Sequence, residues 1–156
     1  MRKIYGLLLS CLCMCGTNAQ TFYRTEIFKP KRIKTLQVKQ PDEIFTVPVI
    51  TLGTDEQIEI NFDDMTPNYE RYAYSIIHCD ADWKPSSLSL LEYLQGFQGL
   101  TIDDFASSFN TTVQYTNYRL LLPNDDIQFK VSGNYVVRVY REDAPDETIL
   151  TACFSV

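Results

Sequence analysis

Strict alternation of apolar and polar side chains marks the clearest segments of this chain. In Gln57 to Phe62 the residues Ile58, Ile60 and Phe62 alternate with Gln57, Glu59 and Asn61, the period-2 signature of a half-buried strand. Arg71 to Cys79, Thr112 to Leu122 and Ile127 to Val131 read as further strands, the last two divided by Pro123-Asn124-Asp125-Asp126. Tyr135 to Arg141 and Thr148 to Val156 flank the acidic stretch Glu142 to Glu147 and predict a hairpin. Within it, Tyr135, Val137 and Val139 line a core while Val136, Arg138 and Tyr140 point outward. Leu150, Ala152, Phe154 and Val156 share one face of the last strand, which leaves Cys153 on the other.

Between these strands the pattern changes. Ser86 to Phe97 spaces Leu88, Leu91 and Leu94 three apart, which suits a short helix starting near Ser86 and ending at Gly96 or Gly99; a looped crossover fits as well. Lys29-Pro30-Lys31-Arg32 reads as a solvated basic edge. Pro41 and Pro48 bracket Ile44 to Val47 and favour irregular pairing, because proline supplies no ladder donor.

Seven or eight short antiparallel strands at roughly ten-residue spacing predict an all-β fold, a β-sandwich of immunoglobulin-like or fibronectin-III-like type. Ser132-Gly133-Asn134-Tyr135, leading into an alternating strand, is similar to the start of a late strand in such domains. There a tyrosine bonds back to the preceding corner.

The first nineteen residues stand apart. Arg2 and Lys3 precede an apolar run from Ile4 to Cys15 and the small-residue site Thr17-Asn18-Ala19, the pattern of a secretory signal peptide. The run is too short to span a bilayer, and nothing later in the chain is long and apolar enough to do so. Leu8-Leu9-Ser10-Cys11 offers a second reading, a lipoprotein signal with Cys11 lipidated. Residues 20–33 then form an extended N-terminal segment and residues 34–156 the sandwich. The 156 residues carry a formal charge of −6, which becomes −8 once Arg2 and Lys3 are removed. An acidic balance without a clustered basic surface argues against nucleic-acid partners.

Export leaves two cysteines, Cys79 and Cys153, which either form one bridge or stay as thiols. His78 beside Cys79 invites a nucleophile reading, but neighbours on a strand point to opposite faces, and the chain has no other histidine to act as base. Asp80-Ala81-Asp82-Trp83, with Asp63-Asp64, offers carboxylates for calcium or caps for a turn. It lacks the glycine and terminal glutamate of an EF-hand loop. No cofactor or metal is assigned. Trp83 and the ten tyrosines would serve a sandwich core, a protein interface or a secreted glycan-binding module.

Several ordered segments together resemble one family. They are Tyr72-Ala73-Tyr74-Ser75-Ile76-Ile77-His78-Cys79-Asp80-Ala81-Asp82-Trp83, Glu92-Tyr93-Leu94-Gln95-Gly96-Phe97, Ser108-Phe109-Asn110-Thr111, Tyr115-Thr116-Asn117-Tyr118, Leu122-Pro123-Asn124 and Ser132-Gly133-Asn134-Tyr135. In this order, from about Lys34 to Val156, they resemble the N-terminal domain of the type IX secretion system plug proteins of Bacteroidetes. The resemblance implies an exported, periplasmic, non-enzymatic domain that associates with the outer-membrane translocon barrel and closes its periplasmic mouth by steric occlusion. Full family members continue well beyond this length, so the chain is expected to be the leading part of a longer protein. The family segments place His78, Cys79, Asp80, Asp82, Trp83, Tyr93, Gly96, Phe97, Asn110, Tyr115, Tyr118, Pro123, Asn124, Gly133, Asn134 and Tyr135 as motif or interface residues. Asp80, Asp82, Trp83 and Tyr93 to Phe97 are the first expected contacts.

Overall fold

A computed structural model describes residues 22–156 apart from 44, 45 and 67. The export signal expected over residues 1–19, and the Cys11 alternative, lie outside the described residues. In chain order the elements are β1 (Glu26–Ile27), β2 (Ile33–Lys39), β3 (Ile58–Asp64), β4 (Tyr72–Cys79), α1 (Leu90–Tyr93), β5 (Leu94–Gly96), β6 (Leu100–Thr101), β7 (Asp104–Ser107), β8 (Thr116–Leu122), β9 (Ile127–Phe129), β10 (Asn134–Arg141) and β11 (Ala144–Ser155). One sheet has the order β1-β11-β10-β4-β6, a second β2-β3-β8-β7, and β5 pairs with β9 alone. All these pairings are antiparallel. The result is the all-β sandwich that the alternation predicts.

The period-2 positions build the core as expected. Ile58, Ile60 and Phe62 of β3 and Tyr118, Leu120 and Leu122 of β8 are buried in one cluster with Tyr74, Ile76, Tyr135, Val137, Val139, Leu150 and Phe154 of the larger sheet. Phe62 stacks on Tyr118 at 5.2 Å, and Tyr72 meets both rings edge-on at 5.4 and 4.9 Å. Each such ring stabilises the fold by roughly 1.5–3 kcal/mol through apolar burial.

Four local expectations are amended. Val136 points outward as expected but is fully buried, because the N-terminal segment crosses its face. The Tyr23 amide donates to the Trp83 carbonyl (2.8 Å), Thr25 Oγ1 accepts from the Cys153 amide (3.0 Å), and β1 pairs with β11. Tyr23, Ile77 and Trp83 thereby close a second small apolar cluster over Cys79, Val136 and Cys153. Next, β11 starts at Ala144 and pairs with Arg141, so the hairpin loop shrinks to Glu142 and Asp143, with register shifts around Tyr140 absorbing the extra residues. The strand expected from Thr112 begins only at Thr116, and β7, absent from the sequence reading, lies beside it. Finally, the helix is one turn long. Ser89 and Glu92 form a capping box at its start, and Leu94 leaves it to pair with Phe129. Leu94 is buried while Leu91 is 76% exposed, so the three leucines do not share a face.

The basic patch also does more than expected. Arg32 donates to the Asp64 carboxylate from Nη2 (2.9 Å) and Nε (3.2 Å), and Tyr72 Oη donates to the same group at 2.8 Å. The Asp64 side chain is buried, so this cluster ties the start of β2 to β3 and β4.

Candidate interaction surface

Several residues that carry the family resemblance, His78, Cys79, Asp80, Gly133, Asn134 and Tyr135, meet at the end of the sandwich where β4 stops and β10 starts. His78 points into the core between Tyr93 (ring centroids 5.6 Å) and Tyr135 (5.0 Å). Its Nε2 lies 3.4 Å from the Ser132 carbonyl, which only accepts, so Nε2 is the donor there, and Nδ1 is hydrogen-bonded with Ser86 Oγ at 2.8 Å. Gly133 makes this possible: a Cβ there would stand 2.3 Å from His78 Nε2. Tyr135 Oη donates to the Val131 carbonyl at 2.7 Å, the back-bonding tyrosine expected from Ser132-Gly133-Asn134-Tyr135. Tyr93 Oη donates to the Ile76 carbonyl at 3.0 Å. Burial pushes the Tyr135 phenol up to about 12, so it stays a donor at neutral pH.

Cys79 faces the opposite side from His78, as strand alternation requires. The disulfide considered from the sequence is not formed: Cys79 and Cys153 are both free and buried. Strand β10 lies between β4 and β11, so two strand spacings, about 9–10 Å, separate them, beyond the reach of a bridge. Burial pushes their thiols up to about 12 for Cys79 and about 11 for Cys153. A protonated thiol on the face opposite the imidazole is a structural group, not an activated nucleophile.

Beyond Cys79 the chain turns. Asp80 Oδ1 accepts from the amides of Asp82 (2.9 Å) and Lys84 (3.0 Å), and Asn134 Nδ2 donates to the Asp80 carbonyl at 2.9 Å. Asp80 is therefore a turn cap. Of the other acids considered for calcium, Asp64 is held by Arg32, Asp63 accepts from Asn117 Nδ2 at 2.8 Å, and Asp82 lies 3.8 Å from Lys84 Nζ. Trp83, half-buried with a φ of 59°, lays its ring on the outer apolar cluster.

The remaining motif residues divide sharply. Tyr118 is a core ring whose hydroxyl donates to the Glu70 carbonyl at 2.8 Å. Asn124 closes the β8–β9 turn behind Pro123, its Oδ1 accepting from the Asp126 (3.1 Å) and Ile127 (2.9 Å) amides. Asn110 and Tyr115 belong to the loop before β8, Asn110 exposed and Tyr115 half-buried. His78, Cys79, Tyr93, Tyr118 and Tyr135 are buried and act from within. Asp80, Asp82 and Phe97 face solvent.

Phe97 belongs to an apolar groove. It is 77% exposed, and with Leu91, Leu94 and Gly96 it lines a hollow of about 600 Å³ whose rim carries Asp125, Asp126, Gln128 and Lys130. Gly96 is required there: its φ is +135°, and a Cβ would lie 2.2 Å from the Asp126 carbonyl oxygen. Gln98, which the sequence reading passed over, anchors the rim. Its Oε1 accepts from the Ile76 amide (2.7 Å) and its Nε2 donates to the Ile76 carbonyl (2.8 Å), so a side chain takes the place of a neighbouring strand along β4. Leu91, expected only as a helix residue, and Lys130, not singled out by the sequence, come beside Phe97 through the β5–β9 pairing.

These features define an all-β sandwich domain whose polar groups maintain turns and strand ends and whose open groove offers contact area. The profile of the type 9 secretion system plug protein 1st domain matches residues 33–156, and the chain belongs to that family. Among the described residues no helix is long and apolar enough to cross a membrane. A solved structure described as a hypothetical protein from Parabacteroides merdae ATCC 43184 is similar, with 61% identity and a TM-score of 0.86 over 88% of this chain and 34% of that one. The chain thus spans about a third of that relative's length. No curated protein matches it.

Proposed function

We propose that this chain is the exported, periplasmic interaction domain of a plug protein. It works without catalysis, helping to occlude the periplasmic mouth of the outer-membrane translocon barrel through protein–protein contact. The observation that carries this reading is the family match over residues 33–156, and the groove beside Phe97 supplies a surface for it. Two large exposed side chains, Leu91 and Phe97, border a shaped hollow with charges kept to its rim, the layout of a contact patch with an apolar centre. The buried His78–Tyr93–Tyr135 cluster fixes the backbone on which that patch stands.

Photo-cross-linking from position 97 of the full-length product in cells tests the reading. A translocon barrel subunit should be captured, and Leu91→Asp with Phe97→Asp should abolish both capture and occlusion while the protein stays folded. Capture of no translocon subunit, or undiminished occlusion by that variant, refutes it.

A further inference from the structure

We propose that the free edge of β7 is a strand-accepting site, binding an extended polypeptide segment by β-augmentation. This surface is separate from the groove beside Phe97 and does not depend on the plug reading. Strand β7 closes the four-stranded sheet on one side, and all four of its residues are exposed. Its register with β8 runs without a shift from Asp104 opposite Arg119 to Ser107 opposite Thr116. The Ser108 amide donates to the Tyr115 carbonyl at 2.8 Å in that same register. Antiparallel pairs alternate between bonded and non-bonded, so Ala106 and Asp104 are bonded to β8, and the amides and carbonyls of Phe105 and Ser107 face away from it. Among the described residues those groups have no hydrogen-bond partner.

Among the edges of the two larger sheets, the others are protected and this one is not, while β5 and β9 are only three residues long. Strand β2, at the far side of the same sheet, carries Lys34 and Lys39 and is broken by a register shift with Thr35 at a φ of 56°. Strands β1 and β6, the edges of the larger sheet, have only two residues each. Short edges, lysines and bulges are the usual devices against edge pairing. Strand β7 has no lysine, proline or bulge, and it presents Phe105 at 42% exposure against Tyr69 at 46%, with ring centroids 4.4 Å apart.

Hydrogen-bond complementarity sets the occupant. Two outward donors and two outward acceptors, two residues apart along a strand, are satisfied by an extended peptide backbone. The residue that pairs with Phe105 would put its side chain on the Phe105–Tyr69 shelf, so an aromatic or β-branched residue fits there. Its neighbours point to the other face, beside the exposed Asp104 carboxylate, which lies 3.9 Å from Arg119 Nη1 and leaves room for a second basic residue.

A random heptapeptide library displayed on phage and selected against the full chain tests this. Enriched peptides should alternate apolar with polar or basic residues. Their affinity should fall about tenfold or more for Ser107→Pro, which removes an outward donor that β8 does not use, and should be unchanged for Ser107→Ala. Should Ser107→Pro fail to fold, N-methylation of an enriched peptide at alternate residues replaces it: one parity should abolish binding and the other preserve it. No enrichment, equal binding to Ser107→Pro, or indifference to methylation parity overturns the proposal. A dimer of the chain that Ser107→Pro dissolves also overturns it, since the edge would then be filled by a second copy.

Discussion

Replacing Asp64 with asparagine tests whether the Arg32–Asp64–Tyr72 cluster holds the two sheets together. The carboxylate accepts from Arg32, from Tyr72 Oη at 2.8 Å, and from the Thr66 amide (3.0 Å) and Oγ1 (2.9 Å). Asparagine keeps the shape but removes the charge and turns one oxygen into a donor facing other donors. Breaking a fully buried pair from one side costs about 3–5 kcal/mol. Arg32 is 21% exposed and retains Glu70 at 3.3 Å, so the loss should be near the lower end, about 3 kcal/mol. For a domain of this size that is roughly 10 °C in Tm. Urea unfolding followed by far-UV circular dichroism reads the difference directly. The pH dependence carries a second signature. Burial pushes the Asp64 carboxyl up, but hydrogen bonds from Arg32, Thr66 and Tyr72 outweigh it and leave the group below its ordinary value. A carboxyl lowered in the folded state contributes fully above its unfolded pKa, about 3.9, and its contribution is lost as pH falls through the folded value. The gap between wild type and Asp64→Asn should therefore be constant above about pH 5 and close in stronger acid. A loss under about 0.5 kcal/mol at neutral pH, or a gap that widens with acid, would refute the reasoning.

Two further outcomes follow from the structure. Gly96→Ala places a Cβ against the Asp126 carbonyl at a positive φ and should destabilise by about 2–4 kcal/mol in the same unfolding assay, with an unchanged midpoint counting against the close approach. With Cys11, Cys13 and Cys15 replaced by serine, the native chain at pH 8 should react slowly with a thiol-exchange reagent and quickly in denaturant, because burial keeps Cys79 and Cys153 protonated. Equal rates in both conditions would contradict their burial.

What the chain reveals before folding is what depends on near neighbours. Alternation in Ile58 to Phe62 and in Tyr135 to Val139 identified strands and their inward faces, because a strand repeats every two residues whatever it later packs against. Ser132-Gly133-Asn134-Tyr135 foretold the back-bonded tyrosine for the same reason: donor and acceptor lie four residues apart. The ordered family segments were legible, but not their division of labour.

Tertiary structure alone decided the rest. Val136 is buried because Tyr23 and Trp83, remote in sequence, cover it, and Cys79 stays clear of Cys153 because β10 runs between their strands. Leu94 turns inward and Leu91 outward because β5 pairs with β9, which also sets Phe97 beside a groove. Phe105 lies on an open edge because, among the described residues, no strand pairs with the outer side of β7. Period-2 patterning specifies which side of a strand is apolar. Strand order specifies which apolar sides are covered, and that order rests on pairings between distant residues.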